Sequence, residues 1–232
     1  RYPARGEDRQ IGDGTTLERL GGTGLIVSVT TDPRRQLAAT AYSETVVTSQ
    51  GGSFELDGEL TYLPAPRLEL QLVPQLNLRS GDARFVAGSR EDGEYTFGDL
   101  KAQSVSATLR ASYTFTNRLT LQVYGQLLAI AEHYSNFRSL AVDPAAPRPV
   151  IRLEQLTPTA PPASDPDNEE TNLNLSAVLR WEFRPGSTLF LVYSRLQAPA
   201  LTPDRDARLD LGALRNGPAS DAIRLKLSYY WN

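Results

Sequence analysis

The chain closes on IRLKLSYYWN, in which Ile223, Leu225, Leu227, Tyr229 and Trp231 alternate with Arg224, Lys226, Ser228 and Tyr230. Successive side chains of a β-strand point to opposite faces, so this pattern predicts a strand with one apolar face and one face carrying two cations. Residues 104–115 repeat it over twelve positions, with Val105, Ala107, Leu109, Ala111, Tyr113 and Phe115 set against Ser104, Ser106, Thr108, Arg110, Ser112 and Thr114. Segments 118–129, 172–183, 54–62 and 67–78 alternate in the same way, and 24–31, 34–46 and 187–197 do so more loosely, which makes nine predicted strands.

Strands of soluble sheets run about 5–6 residues, whereas a tilted strand crossing a bilayer needs about 9–11. Most of the predicted strands match the longer figure. Tight turns are expected at TDPRR (31–35), LPAPR (63–67), TFTNR (114–118) and FRPGS (183–187), each built from the residues that favour reversals. Longer links are expected at about 47–53, 80–102, 131–171 and 198–221. Short and long connections in alternation are the rhythm of an outer-membrane barrel, with tight periplasmic turns and long extracellular loops. Tyr62, Tyr113, Phe115, Trp181, Phe183, Tyr229 and Trp231 fall on the apolar face near the short-turn ends, where an interfacial aromatic girdle belongs.

The predicted fold is therefore all-β: an antiparallel transmembrane β-barrel wall over 24–232, preceded by a lead-in segment, 1–23, on the extracellular side. A soluble sandwich would also alternate, but it explains neither the strand lengths nor the turn rhythm. Pro74 lies inside a predicted strand, where its missing N–H calls for a bulge. Nine strands do not close a bacterial barrel, which uses an even number. GTTLERL (14–20) is a poor tenth strand. The expected partners are thus the lipid bilayer and missing N-terminal barrel strands, from the same precursor or another chain. With Arg1 in place of an initiator Met and no signal peptide ahead of it, the chain reads as a mature form or a fragment.

Composition narrows this picture without redirecting it. No run of about 18 apolar residues exists, so membrane helices are excluded. A net charge of −3 with scattered Lys and Arg gives no nucleic-acid footprint. Cysteine is absent, which rules out disulfides and thiolate metal sites.

Three stretches, VSVTTDPRRQLAATAYS (27–43), YTFGDLKAQSVSATLRASYTFTNRLTLQVYGQ (95–126) and AVLRWEFRPGSTLFLVYSR (177–195), together with the closing RLKLSYYWN, carry a family resemblance. They resemble the C-terminal barrel region of bacterial proteins with a family 9 carbohydrate-binding-module-like domain near the N-terminus. The resemblance spans roughly 24–232. It implies a bacterial outer-membrane location and a larger barrel of unknown function, and it carries over no catalytic residue.

The candidate chemistry lies on the polar face. Glu55, Asp57, Glu59 and Glu69 are expected to point into a lumen from neighbouring strands, with Arg180, Arg224 and Lys226 pointing in from strands near the end of the chain. Opposed acidic and basic walls would orient polar solutes such as saccharides. The same charges also fit a solvated lumen with no selective role, and inward Val73, Val178, Phe190 and Val192 fit a partly filled one. Two functions follow: a channel or transporter, or a non-conducting scaffold binding protein partners at its extracellular loops. His133 reads as a surface-loop histidine, since no nucleophile or oxyanion donor accompanies it. The acidic loop SDPDNEET (164–171) has oxygen ligands of the kind calcium takes, but not EF-hand spacing. No cofactor motif or metal site is expected, and no enzymatic role.

Overall fold

The computed structural model describes residues 5–7, 10–145, 150–215 and 217–231, so that 1–4 and 8–9 of the lead-in lie outside the described residues. Its strands are β1 (Arg5–Glu7), β2 (Thr16–Arg19), β3 (Gly22–Thr30), β4 (Leu37–Thr48), β5 (Gly52–Ala65), β6 (Leu68–Ser89), β7 (Glu94–Thr116), β8 (Leu119–Ala141), β9 (Val150–Ile151), β10 (Thr157–Pro158), β11 (Asn168–Arg184), β12 (Ser187–Gln197) and β13 (Ala219–Ser228). Two 3-10 turns, Leu153–Gln155 and Gly212–Arg215, are the helical elements among the described residues. The protein is all-β.

Nine strands pair in the order β13-β12-β11-β8-β7-β6-β5-β4-β3, every contact antiparallel and every step to the next long strand in sequence. They are the nine strands that the alternation predicts. The sheet is open: β3 and β13 are its edges and do not pair with each other. GTTLERL does contain a strand, β2, but it joins β1 and β9 in a separate three-stranded sheet instead of adding to the wall.

The four tight turns form where Pro, Asn and Gly predict them, and the links differ. The segment 47–53, expected as a longer link, is a three-residue turn in which Thr48 N–H bonds Gly51 O at 2.8 Å. The segment 80–102 is largely strand, because β6 continues to Ser89 and β7 starts at Glu94, and the link expected at 131–171 narrows to 142–167, because β8 continues to Ala141 and β11 starts at Asn168. The two long links between wall strands are thus the β8–β11 connection, which carries β9, β10 and a 3-10 turn, and the β12–β13 connection. At 22 and 23 residues, β6, β7 and β8 are about twice as long as a bilayer requires.

Pro74 sits in unbroken register opposite Ala107, and the pairing sums Asp57↔Gln75 and Leu60↔Leu72 are equal, so no bulge forms there. The ladder to β5 instead skips Gly58 and Glu59. A Cβ on Gly58 would lie 3.0 Å from the proline ring, so glycine makes the room that the expected bulge would have made.

A true bulge occurs at Gly81, between the pairs Ser80↔Lys101 and Asp82↔Leu100. Gly81 has φ +80, and an added Cβ would stand 2.0 Å from Gln50 O in the β4–β5 turn. Gly81→Val is therefore expected to lower unfolding stability by several kcal/mol, on the order of 3 from left-handed strain plus displaced backbone, against a near-neutral Ser80→Val; a denaturant midpoint unchanged in Gly81→Val would refute this.

The buried core lies beyond the two-faced part of the wall. Leu17 of β2, Tyr95 and Phe97 of β7, Ile151 of β9 and Leu156 pack together, with Ile11, Phe85, Leu140, Val142 and Leu153 against them. Phe85 meets the rings of Tyr95 and Phe97 edge-on at 6.3 and 6.1 Å. Tyr95 OH donates to Asp13 at 2.5 Å, Arg19 donates to Ala83 O at 2.7 Å, and Leu153 N–H donates to Glu18 at 3.1 Å. These contacts dock the small sheet onto the extension of β6–β8.

Candidate functional site

Register turns the alternation of single strands into two continuous faces. One row runs Leu37, Tyr62, Leu70, Ala111, Val123, Ala177, Tyr193, Ile223 across eight strands. The neighbouring row, one residue along each strand and on the other face, runs Ala38, Thr61, Gln71, Arg110, Tyr124, Ser176, Ser194, Ala222. A slip of one residue in any pairing would break both, so the match across all the pairings specifies one register.

The apolar face is open to its surroundings: Leu25, Val27, Val29, Leu56, Leu60, Leu72, Leu109, Leu191, Ile223, Leu225 and Leu227 are all exposed. That is a far larger apolar patch than a soluble monomer carries. From Leu68 to Leu78 it covers ten residue steps, about 33 Å along the strand and about 25 Å in height at a tilt of ~40°. Arg195 and Asp221 lie on this face, but they pair with each other at 3.4 Å near the long-loop end and bound the apolar band on that side.

Aromatic residues bound it on the other. Tyr113 and Phe115, Trp181 and Phe183, and Tyr229 and Trp231 form three edge-to-face pairs, with centroids 4.6, 5.9 and 4.9 Å apart. Each pair joins residues i and i+2 at the short-turn end of its strand. Tyr62 stands at the same end of β5, and all seven predicted girdle residues except half-buried Phe183 are exposed. Arg184 donates to Tyr229 OH at 2.9 Å, the amphipathic contact suited to an interface.

The seven predicted charged residues share the opposite face. Glu69 lies in one row with Ser112, Gln122, Val178, Val192 and Arg224. Arg180, Phe190 and Lys226 lie in the next. Acids thus cluster on β5 and β6, and bases on β11 and β13. Arg180 is partly answered by Glu182 at 3.7 Å.

The structure adds residues that the sequence did not single out. Gln71 donates to Glu59 at 2.8 Å and accepts from Arg110 at 2.9 Å, and the Arg110 guanidinium stands 5.9 Å over the Tyr124 ring. Gln75 donates to Asp57 at 2.9 Å and accepts from Ser106 at 2.9 Å. Two hydrogen-bonded chains therefore cross the polar face from the acids toward β8. Their members occupy polar positions of the alternation, but only register reveals that Gln71 stands between Glu59 and Arg110.

His133 is not in a loop. It belongs to β8, half-buried, with Nδ1 2.5 Å from Asp167, whose other oxygen accepts the Tyr134 N–H at 2.7 Å. The acidic loop disperses its carboxylates: Asp167 serves His133, Asp165 accepts Asp167 N–H at 3.0 Å, and Glu170 accepts from Asn172. Among the described residues no three acidic or histidine side chains converge as a metal site.

A family model described as a domain of unknown function (DUF5916) matches residues 7–232. No curated protein and no solved structure matches the chain.

Proposed function

The chain belongs to this DUF5916 family, and from that premise we propose that it forms part of the wall of a bacterial outer-membrane β-barrel whose polar face lines a path for polar solutes. The observation that carries the reading is the pair of continuous faces, one exposed and apolar over about 25 Å, one polar and cross-linked by hydrogen bonds. The likeness to barrel regions of proteins with a carbohydrate-binding-module-like domain favours saccharides as the solutes. In this reading Glu55, Asp57, Glu59 and Glu69 face Arg180, Arg224 and Lys226 across a lumen and set up a transverse field. No catalytic role is assigned to the chain.

Closure needs strands from elsewhere. In an antiparallel meander of nine strands the two edges run the same way, so β3 and β13 cannot pair antiparallel with each other. An odd number of further strands, from the same precursor or another chain, restores an even barrel and satisfies edge N–H and C=O groups that hydrocarbon would leave unpaired at several kcal/mol each.

Cysteine labels replacing Leu109, Leu191 and Leu225 in the intact protein are expected to be quenched from within the bilayer, and labels replacing Thr108, Val192 and Arg224 from water. Water access at the first three sites would refute the membrane wall. A specific observation favours a second reading, the non-conducting scaffold: Val178 and Val192 pair across β11 and β12 on the polar face, beside Phe190, so the lumen there has an apolar patch. Single-channel recording in planar bilayers separates the two, because a filled scaffold is silent.

A further inference from the structure

At the level where β6, β7 and β8 leave the apolar band, the polar face holds a cavity of about 550 Å³. Its lining includes Arg79 and Arg84 of β6, Ala102 of β7, Glu132 and Tyr134 of β8, and Gln10 of the lead-in. Gln10 is held in place as the acceptor of the Phe85 N–H at 3.3 Å. On the reading above, this is the outer mouth of the lumen.

Arginines of β6 line one side of the cavity and Glu132 of β8 the other. Arg79 and Arg84 both lean on one carboxylate, Asp82, at 3.7 and 3.1 Å, so two guanidinium groups share it. The Arg84 side chain is 13% exposed, and its buried Nε has no hydrogen-bond acceptor among the described residues. An anionic group entering the cavity gains charge-assisted hydrogen bonds from guanidinium groups that share a single carboxylate. Glu132 lies on the other side, with a long 3.5 Å contact from Asn168. Glu55, also on the lining, stands one row away and feels Arg79.

Arg79, Ala102 and Glu132 form a single row: Arg79 pairs with Ala102, and Ala102 with Glu132. Two inter-strand steps separate the cation from the anion, about 10 Å, and the residue between them is a methyl group that leaves the floor open. A neutral sugar would use neither charge, and a simple anion would leave Glu132 unanswered. A solute with a carboxylate and an ammonium about 10 Å apart meets both ends, and an extended tripeptide, at about 3.4 Å per residue, has that span.

We propose that this cavity binds short zwitterionic peptides, with the terminal carboxylate on Arg79 and Arg84, the terminal ammonium on Glu132, and the backbone lying over Ala102. The inference rests on the reading of the polar face as a solute path and puts short peptides in place of saccharides as the class of solute that this mouth selects.

Titration calorimetry of the intact protein in detergent, with trialanine as the probe, tests it. Trialanine is expected to bind, and N-acetylation or C-amidation of the probe to weaken binding at least about tenfold each, the worth of one charge-assisted contact. Arg79→Gln should reduce the sensitivity to C-amidation, Glu132→Gln should erase that to N-acetylation, and Ala102→Leu should block both free and capped probes. No heat with trialanine at 10-millimolar order, equal binding of capped and free peptides, or tighter binding of maltotriose would overturn the proposal. The blocked-probe comparison needs only the unaltered protein, so a misfolded variant does not remove the test. Bilayer-quenching labels report separately on the membrane wall, so failure of peptide binding alone leaves that reading standing.

Discussion

Tyr95→Ala is expected to release the small three-stranded sheet from the wall extension, at about 3–5 kcal/mol for an aromatic side chain removed from a packed site. Tyr95 is wholly buried, in a cluster to which β2 contributes Leu17 and β9 contributes Ile151. Its hydroxyl also donates to Asp13 at 2.5 Å and lies 3.2 Å from Thr15 Oγ1. Truncation therefore opens a cavity and removes one donor from the half-buried Asp13 carboxylate, which keeps the Thr15 N–H, in one step. Tyr95→Phe removes only the second part and should lower stability by about 1–3 kcal/mol. Amide exchange at Thr16–Arg19 measures both: protection should drop sharply in the alanine variant, less in the phenylalanine variant, and stay unchanged in the distant strand 219–228. Unaltered exchange at β2 in Tyr95→Ala would show that the sheet is held by other contacts.

The same hydroxyl carries a pH signature. Burial foremost, and then the hydrogen bond to Asp13, raise the Tyr95 pKa above its ordinary 10.0. A group that binds its proton more tightly when folded contributes stability below its unfolded pKa and loses it as pH rises through the folded value. Protection of β2 should thus be level through neutral pH and fall only above about 10.

Leu109→Arg is expected to destabilise the intact protein in a bilayer by about 2–4 kcal/mol, the cost of an arginine at the midplane of a barrel's lipid face. Leu109 stands midway along the apolar set of β7 and is 46% exposed. Thr108→Arg, one residue away on the polar face, should change stability little, because there the guanidinium stands in a row with Val73, Gln126 and Asn174 on the side away from lipid. Urea unfolding in lipid vesicles gives the difference between the two. Equal effects would mean that the two faces meet the same medium, and the membrane wall would then be wrong.

The strand count, the two faces and the positions of the tight turns were legible in the sequence because each depends on local chemistry. Alternation at period 2 assigns a face to every residue without knowledge of the partner strand, and Pro, Asn and Gly mark reversals through their own backbone limits. The extension of β6–β8 was not legible. Within Ser80–Lys101 the alternation fails, since bulges at Gly81 and after Phe85 each shift the phase by one residue. A stretch whose pattern slips reads as a loop even where its backbone ladder is continuous. His133 was misplaced for the same reason, because β8 continues past 132 only with the support of β7 and Asp167.

The fate of GTTLERL shows where local information stops. Its strand tendency is visible, but whether it joins the wall or a separate sheet depends on Leu17 finding Tyr95, Phe97 and Ile151, residues roughly 80 and 130 positions away. The same holds for the polar face. The sequence by itself determined that Glu59, Gln71, Arg110 and Tyr124 share a side of their strands, because that is a property of each strand alone. Only the tertiary structure decided that Gln71 joins Glu59 to Arg110, and that Arg79, Ala102 and Glu132 stand in one row. Register between strands is set by the summed fit of every cross-strand pair, and no single strand contains that sum.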